Sequence, residues 1–335
     1  MNAVNIDKIN FGLILISFIL ACLLPFELFL FGYAFLGPLH YLTETNWIVD
    51  KNYFVINKYW KYLVLGAAII YSTPYVFSLP VFSEFLDEFI ISFFTSTVVR
   101  YTNFVMFFIL ISAILALFYK TYKAFAISFL VALLLSVWTY TSEAYVLING
   151  LLLPTIIHVY LFTIFFMIYG VKKKKTKYGI TNIILVLLLP LSLVFFDTDI
   201  FNYQFSQGIK DNYIGNNFHV LNANLSKFLG VYNDLRFFFY EKIDLKIQIF
   251  IAFAYIYHYL NWFSKTTIIG WHKQLTTKKA LTILMLWAII SCCYLYDYRL
   301  GFILSIFLSV SHVMLEFPLN IITIRSLFLR KQKTR

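Results

Sequence analysis

Long apolar runs separated by short polar links dominate the chain. A helix needs about 20 consecutive apolar residues to cross the hydrocarbon core of a bilayer, so each run is interpreted as a membrane-spanning helix. The runs lie near residues 11–36, 62–80, 102–119, 122–142, 145–170, 179–197, 247–264, 280–297 and 301–324. The pattern predicts an all-α fold, a polytopic transmembrane helical bundle of about nine spans, with residues 1–335 forming a single transmembrane domain.

Two segments fall outside this pattern. Residues 81–101 have acidic side chains near their start, at Glu84, Asp87 and Glu88, and their apolar stretch is too short to cross the bilayer. This predicts an interfacial or half-inserted segment. Residues 198–246 are mixed in charge and rich in Asn and Tyr, and we expect them to form an extracytoplasmic loop that caps the bundle.

The distribution of lysine and arginine predicts the orientation. With the N-terminus outside, nine spans place most of the 27 Lys and Arg residues in cytoplasmic segments, as the positive-inside rule requires. The strongest single marker is the group of four lysines at 172–175. Further cytoplasmic charges are Lys265, Lys273, Lys278, Lys279 and, in the C-terminal tail, Arg330, Lys331, Lys333 and Arg335. We therefore predict a cytoplasmic C-terminus.

Composition supports the membrane assignment. The chain is 61% hydrophobic and 13% charged, with a mean hydropathy of +0.78, whereas about 25% of the residues in a soluble domain are charged. The Lys and Arg residues behind the net charge of +11 lie in the links between apolar runs. There they are explained by the orientation of the spans in the membrane, so no nucleic-acid partner is expected. The expected partners are membrane lipids.

Several histidines lie in the apolar runs. His158, His258 and His312 are within runs, and His40 is where the first run ends. Ionisable groups at such depth are costly and usually mark function. With the C-terminus in the cytoplasm, we expect all four imidazoles, on four different helices, to lie at the bilayer midplane or on its cytoplasmic side. Because imidazole is the usual ligand of iron, zinc and copper, they predict a metal site.

Two carboxylates accompany these histidines. Glu44 follows His40 by four residues and Glu316 follows His312 by four, so each pair shares a helix face. The carboxylates could be additional ligands of a dinuclear site or hydrogen-bond acceptors that orient the ligating histidines. We favour the second role for both.

Polar and aromatic side chains near the histidines predict a substrate cavity. The candidates to line it are Tyr160, Tyr257, Tyr259, Asn261 and Trp262. A single membrane-embedded His or Tyr also often serves only as an interhelical hydrogen-bond partner, and that alternative stays open for each residue alone. Glu27, two residues after Pro25, is either a proton-pathway residue or a structural hydrogen-bonding group.

Two short motifs resemble a known family. GPLHYLTE at 37–44 resembles the Gly-x-x-His-Gly-Ala-Leu-Asp signature of the bacterial Brp/Blh-type β-carotene dioxygenases, with His40 at the histidine and Glu44 at the aspartate. YIYHYLNWF at 255–263 is similar to the family's later His-x-x-x-His helix. His258 matches the first histidine of that pair, and Trp262 stands at the second. Tyr41 also departs from the signature, because it replaces the glycine after the histidine.

The resemblance implies a dioxygenase-like oxidoreductase that holds Fe²⁺, or another transition metal, and cleaves a carotenoid or a different lipophilic small molecule. It also implies a bacterial inner-membrane protein. Two other functions remain open from the residues alone. The buried His and Glu groups could form the ion path of a proton- or ion-coupled transporter, or the chain could be a non-enzymatic membrane subunit in which the histidines are interhelical contacts.

Overall fold

The computed structural model describes residues 2–51, 60–118, 121–139, 146–195 and 204–328. In these ranges the regular structure is entirely helical, so the predicted all-α fold is confirmed. The α-helices are α1 Ala3–Leu23, α2 Pro25–Phe31, α3 Gly37–Lys51, α4 Trp60–Phe77, α5 Pro80–Phe85, α6 Glu88–Ser92, α7 Val99–Phe118, α8 Tyr122–Thr139, α9 Thr163–Lys173, α10 Lys177–Ser192, α11 Gln207–Gly215, α12 His219–Phe228, α13 Lys242–Ser264, α14 Thr266–Ile269, α15 Thr277–Tyr296 and α16 Tyr298–Phe328. Three π-helices, Gly32–Leu36, Phe93–Val98 and Val146–Phe162, and a 3₁₀ turn at Trp271–Gln274 complete the set.

Five helices among the described residues are long and apolar enough to cross a membrane: Ala3–Leu23, Glu88–Leu115, Leu151–Lys173, Thr277–Tyr296 and Tyr298–Phe328. Large apolar side chains on their surfaces are exposed, such as Ile19 on α1 and Ile289 on α15, as expected of helices that face lipid. These are the helices of a polytopic membrane protein.

The count of nine spans stays a prediction. The interfacial position of residues 81–101 also stays a prediction. The second half of this segment belongs to the long apolar helix that begins at Glu88. The basic C-terminal tail, with Arg330, Lys331, Lys333 and Arg335, lies outside the described residues, as do residues 198–203 of the predicted loop.

The chain divides into two compact units. The first comprises Met1–His40 and Ile156–Leu284, and the second comprises Tyr41–Thr155 and Met285–Arg335. The prediction of a single transmembrane domain is not tested by this division.

Helix α13 is the most buried helix of the first unit, and α1 packs along it in the opposite direction. Asn10 near the start of α1 donates a hydrogen bond to the hydroxyl of Ser264 at the end of α13, over 2.9 Å. Further along α1, the Phe18 ring lies edge-on against Phe253 at 5.6 Å. Residue numbers that rise on one helix and fall on the other show that α1 and α13 are antiparallel.

The first apolar run is interrupted by a turn at Leu24 and Pro25. Leu24 leaves the helical region, with φ −138° and ψ 59°, and Pro25 begins α2, a position where its missing N–H costs no hydrogen bond. After the turn, Phe29 packs against Tyr255 at 5.2 Å, so the chain returns along α13 in the parallel direction. The prediction of one span over residues 11–36 is therefore wrong, because the run contains two helices of opposite direction.

Hydrogen bonds hold the N-terminal end of α1 to the turn between α9 and α10. The Thr176 hydroxyl caps α10 and donates to the Asp7 carboxylate over 2.5 Å, and Asn182 donates to the Asp7 carbonyl oxygen over 2.8 Å. The four lysines at 172–175 directly precede Thr176. The start of α1, this basic turn and Ser264 thus lie at one end of the unit. If the basic turn is cytoplasmic, as predicted, the N-terminus is cytoplasmic too. The two predictions, an outside N-terminus and a cytoplasmic basic turn, are therefore inconsistent with each other.

The opposite end of the unit carries the described part of the predicted 198–246 loop. Its helices α11 and α12 pack near the Leu24–Pro25 turn, where the Phe26 and Tyr213 rings meet at 4.8 Å. Tyr213 also donates to Gln248 of α13 over 2.6 Å. The segment therefore forms a helical cap on this end of the first unit.

Asp244, in the first turn of α13, fixes the cap. Its carboxylate accepts hydrogen bonds from the Ser226 hydroxyl at 3.0 Å and from the Phe238 N–H at 2.8 Å. Burial raises the pKa of Asp244, and these hydrogen bonds act against that rise. The end of α12 and the chain before α13 are thus both attached to one side chain.

The second unit is built around α16, which packs against α4 and α7, while α7 packs against α8. At the turn between α15 and α16 the Tyr294 and Ser305 hydroxyls lie 2.6 Å apart. A Cβ atom on Gly301 would lie 2.6 Å from the Cα atom of Tyr294. Only glycine therefore permits this close approach of the two helices.

Cysteine labelling tests the direction of α1. In a variant without the three native cysteines, single cysteines at Asn5, Lys174 and Gln204 would be treated with a membrane-impermeant maleimide in intact cells and in inverted vesicles. We expect Asn5 and Lys174 to react from the cytoplasmic side and Gln204 from the opposite side. Reaction of Asn5 from the same side as Gln204 would show that α1 runs in the opposite direction across the membrane.

Candidate metal centre

Three histidines of the first unit meet in its core. His40, His158 and His258 have exposed fractions of 0%, 1% and 7%. One nitrogen from each lies within 4.8 Å of the others. The His258 ring lies 4.7 Å from the His40 ring and 5.1 Å from the His158 ring, between centroids. Buried imidazoles at these separations are a group that could hold a metal ion.

The reversal at Pro25 brings His40 to this place. The arm formed by α2, the π-helix Gly32–Leu36 and the start of α3 runs parallel to α13 and ends at His40, beside His258. Gly32 permits close contact along the arm, because a Cβ atom there would lie 2.5 Å from Cδ1 of Ile256. His158 comes from another π-helix, Val146–Phe162. π-Helical segments are often found at functional sites.

The separation of two of the nitrogens fits metal coordination. Nε2 of His40 and Nε2 of His258 are 3.0 Å apart. With metal–nitrogen bonds of about 2.1 Å, ligands at octahedral or tetrahedral angles stand about 3.0 to 3.4 Å apart. A hydrogen bond from one imidazole to the other fits the same separation, so either a cation or a proton lies between these atoms.

Thr163 contacts the Nδ1 atom of His258 and bears on its tautomer. Its hydroxyl oxygen lies 2.8 Å from Nδ1 of His258 and donates to the carbonyl oxygen of Val159 over 2.9 Å. The hydroxyl has a single proton, and a carbonyl oxygen only accepts, so both contacts are hydrogen bonds at once only when Nδ1 of His258 donates to Thr163. In that tautomer His258 has a lone pair on Nε2, the atom that faces His40. This is the state in which an imidazole binds a metal.

Sequence reasoning did not identify Thr163. It lies five residues after His158 in a stretch of apolar and aromatic residues, and a small hydroxyl side chain at this position is the signal that the sequence offers. Threonines in membrane helices commonly bond to their own backbone, so the residue does not stand out by type.

Aromatic rings surround the imidazoles. Around His40, the rings of Tyr259, Trp262 and Phe263 lie 5.2, 5.6 and 6.4 Å away. The Phe162 ring lies 6.4 Å from that of His158. Apolar walls of this kind exclude water, which strengthens any charge–dipole or metal–ligand interaction inside them.

His312 and the two predicted supporting carboxylates belong to the second unit. The His312 ring is stacked on Tyr41 at 4.4 Å, and one of its nitrogens lies within 4.8 Å of a Glu44 oxygen. Glu316 accepts a hydrogen bond from Nδ2 of Asn320 over 3.4 Å. The predicted role of His312 as a fourth ligand of the same metal stays a prediction, and so do the supporting roles of Glu44 and Glu316.

The five residues predicted to line a cavity have different surroundings. Tyr160 donates to the Val186 carbonyl oxygen over 2.8 Å, and Tyr257 donates to Asn10 over 3.4 Å, so both connect helices. Tyr259 and Trp262 face His40, and Asn261 is 7% exposed. A substrate cavity formed by these residues stays a prediction.

A test of Thr163 separates its orienting role from simple packing. Thr163→Val keeps the shape but leaves Nδ1 of His258 without its acceptor, so we expect Co²⁺ affinity to fall by about 10- to 100-fold. Thr163→Ser should bind nearly as well as the wild type. The matched control is Thr155→Val, because Thr155 lies in the π-helix of His158 and bonds to the Leu151 carbonyl oxygen. Equal Co²⁺ affinity in Thr163→Val and the wild type would contradict the assigned role.

No protein-family model, curated protein or solved structure matches the chain. The three imidazoles, their burial and Thr163 are therefore the observations from which a function is inferred.

Proposed function

We propose that this chain is a membrane-embedded non-haem metal enzyme of the oxygenase type, in which His40, His158 and His258 hold the metal and the substrate is lipophilic. The observation that carries the proposal is the 3.0 Å approach of Nε2 of His40 to Nε2 of His258. These residues are 218 positions apart, and they are the two histidines that match the motifs of the resemblance.

The donor set favours a borderline transition metal. Three imidazole nitrogens suit iron, zinc and copper, and they suit magnesium and calcium poorly because those ions prefer oxygen ligands. We propose iron, since the family that the motifs resemble is an iron family. A ferrous ion bound there would supply the electrons that activate dioxygen towards a carbon–carbon double bond.

The chain's own residues supply binding, orientation and exclusion of water. In the proposed metal-binding state Thr163 accepts the Nδ1–H of His258, which leaves the Nε2 lone pair directed towards His40. The Trp262 ring lies edge-on to His40, with 84° between the ring planes, at the position where the resembling family has its second histidine. The proposed site therefore has three imidazole ligands, all from the first unit. The aromatic ring of Trp262 stands where the resembling family has a further ligand.

The surroundings support a lipophilic substrate. Tyr259, Trp262 and Phe263 give the site apolar walls, and a substrate dissolved in the bilayer can reach a membrane-embedded site without passing through water. Cleavage of a carotenoid is the specific reaction that the resemblance implies, and a bacterial inner membrane is the location that it implies. Trp262 in place of the histidine favours a divergent relative whose substrate differs in shape.

Metal analysis of purified variants tests the proposal. His40→Ala, His158→Ala and His258→Ala each remove one imidazole, so we expect each variant to lose most of the iron bound by the wild type, as measured by mass spectrometry of protein purified without oxygen. The matched controls are His219→Ala and His272→Ala, because these histidines lie in the cap and in the basic link after α13 and should not affect binding. Unchanged iron content in all three site variants would refute the proposal.

Product analysis tests the substrate. Cells that make β-carotene and express the wild type should lose colour and accumulate retinal, whereas cells that express His158→Ala should not. If the wild type binds iron but leaves β-carotene intact, the metal assignment stands and carotenoid cleavage is rejected. Oxygen uptake with other membrane lipids would then identify the substrate class.

A further inference from the structure

The helical cap of the first unit exposes large apolar side chains that the proposed function does not use. They lie between the end of α12 and the start of α13, and their exposed fractions range from 40% to 69%. We call this set the apolar rim, and its members are Phe228, Leu229, Val231, Leu235, Phe238 and Tyr240. An exposed apolar patch of this kind marks a surface that contacts protein or lipid.

Four consecutive aromatic residues before α13 alternate between the inside and the outside of the cap, as side chains do in an extended segment. Phe237 and Phe239 both pack against Phe26, at 6.1 and 5.0 Å between ring centroids. Phe238 and Tyr240 are instead 51% and 55% exposed. Packing of the cap needs only the inward rings, so the outward rings indicate a second contact.

Asp244 sets the level of the apolar rim along α13. Its carboxylate accepts hydrogen bonds from the Ser226 hydroxyl and from the Phe238 N–H. The N–H of Val231 donates to the Ser226 carbonyl oxygen over 3.0 Å. Both ends of the segment that carries the rim are therefore held at the first turn of α13.

The apolar surface of α10 extends to the same level. Lys246 of α13 donates to the carbonyl oxygen of Val194 over 3.4 Å, two residues after α10 ends. Leu188, Leu191 and Val194 are 55%, 60% and 70% exposed, and their spacing of three places them on one side of the helix. An apolar stripe of this kind on a helix of a membrane protein faces acyl chains. Lipid at Val194 is at the level of Asp244, and so at the level of the rim.

The charged groups of the rim segment are paired with each other. Nε of Arg236 lies 2.7 Å from Oδ1 of Asp234, and the Arg236 guanidinium lies over the Tyr232 ring at 4.9 Å. Residues 228–240 contain no other Asp, Glu, Lys or Arg, so the segment has no net charge with which to select an acidic protein or an anionic headgroup. Aromatic rings beside cationic groups are typical of the membrane–water boundary.

We propose that the apolar rim is a membrane anchor, whose side chains insert about 5 to 10 Å into the boundary between lipid headgroups and acyl chains. Insertion depends on apolar contact and is the same for neutral and anionic lipids. The cap is then held against the bilayer, and Asp244 connects this anchor to α13. The proposal does not depend on the metal centre, because none of its residues contributes to the anchor.

Spin labels measure the depth of the apolar rim. In the full-length variant without the three native cysteines, Leu229→Cys, Leu235→Cys and Phe238→Cys would each carry a nitroxide in liposomes of phosphatidylcholine. Power saturation compares collisions of the nitroxide with oxygen, which concentrates in the bilayer, and with a water-soluble nickel chelate. We expect a high ratio of oxygen to nickel collisions at all three positions, and the same ratio after anionic lipid is added.

Matched control positions come from the same unit. A label at Leu188→Cys, on the apolar stripe of α10, should give a high ratio, and a label at Asp211→Cys, on the exposed side of α11, should give a low one. Rim ratios close to that of Leu188→Cys support the anchor. Rim ratios close to that of Asp211→Cys overturn it, since the rim would then face water. Protection from both oxygen and nickel also overturns it, because protein would then cover the rim.

Discussion

Two imidazole nitrogens that face each other at hydrogen-bonding distance in an apolar core need a proton or a cation between them, and the first unit is built around one such place. Nε2 of His40 and Nε2 of His258 lie 3.0 Å apart with almost no exposure to solvent. When Thr163 accepts the Nδ1–H of His258, the Nε2 lone pair of His258 faces His40. With His158 at the same place, a metal ion satisfies three imidazoles at once, whereas a proton satisfies only one pair.

The backbone that creates this arrangement is a reversal near the N-terminus. Helix α1 runs antiparallel to α13, the chain turns at Pro25, and the returning arm runs parallel to α13 until it reaches His40. A small residue at Gly32 lets that arm lie close to α13. The N-terminal helix therefore does not carry the site. Helix α1 contacts α13 through the hydrogen bond between Asn10 and Ser264, and the returning arm places His40 beside His258.

Hydropathy pointed to the histidines of the apolar runs, three of which lie together, but it could not trace the chain between them. Residues 11–36 are apolar throughout, and a break at Pro25 changes direction without changing hydropathy, so the reversal cannot be seen in the pattern. His40 nevertheless lies beside His258, because the returning arm has the direction that a single span was expected to have. Thr163 was not predictable, since its role depends on the phase of a π-helix that the sequence does not reveal. The all-α fold, by contrast, follows directly from the apolar runs.

Anomalous diffraction from crystals grown with iron tests the central claim most directly, because it locates the metal independently of activity. Data collected on either side of the iron absorption edge should give one strong difference peak about 2.0 to 2.2 Å from Nε2 of His40, Nε2 of His258 and a ring nitrogen of His158. A map from fully iron-loaded protein that has no peak among these three residues would contradict the account.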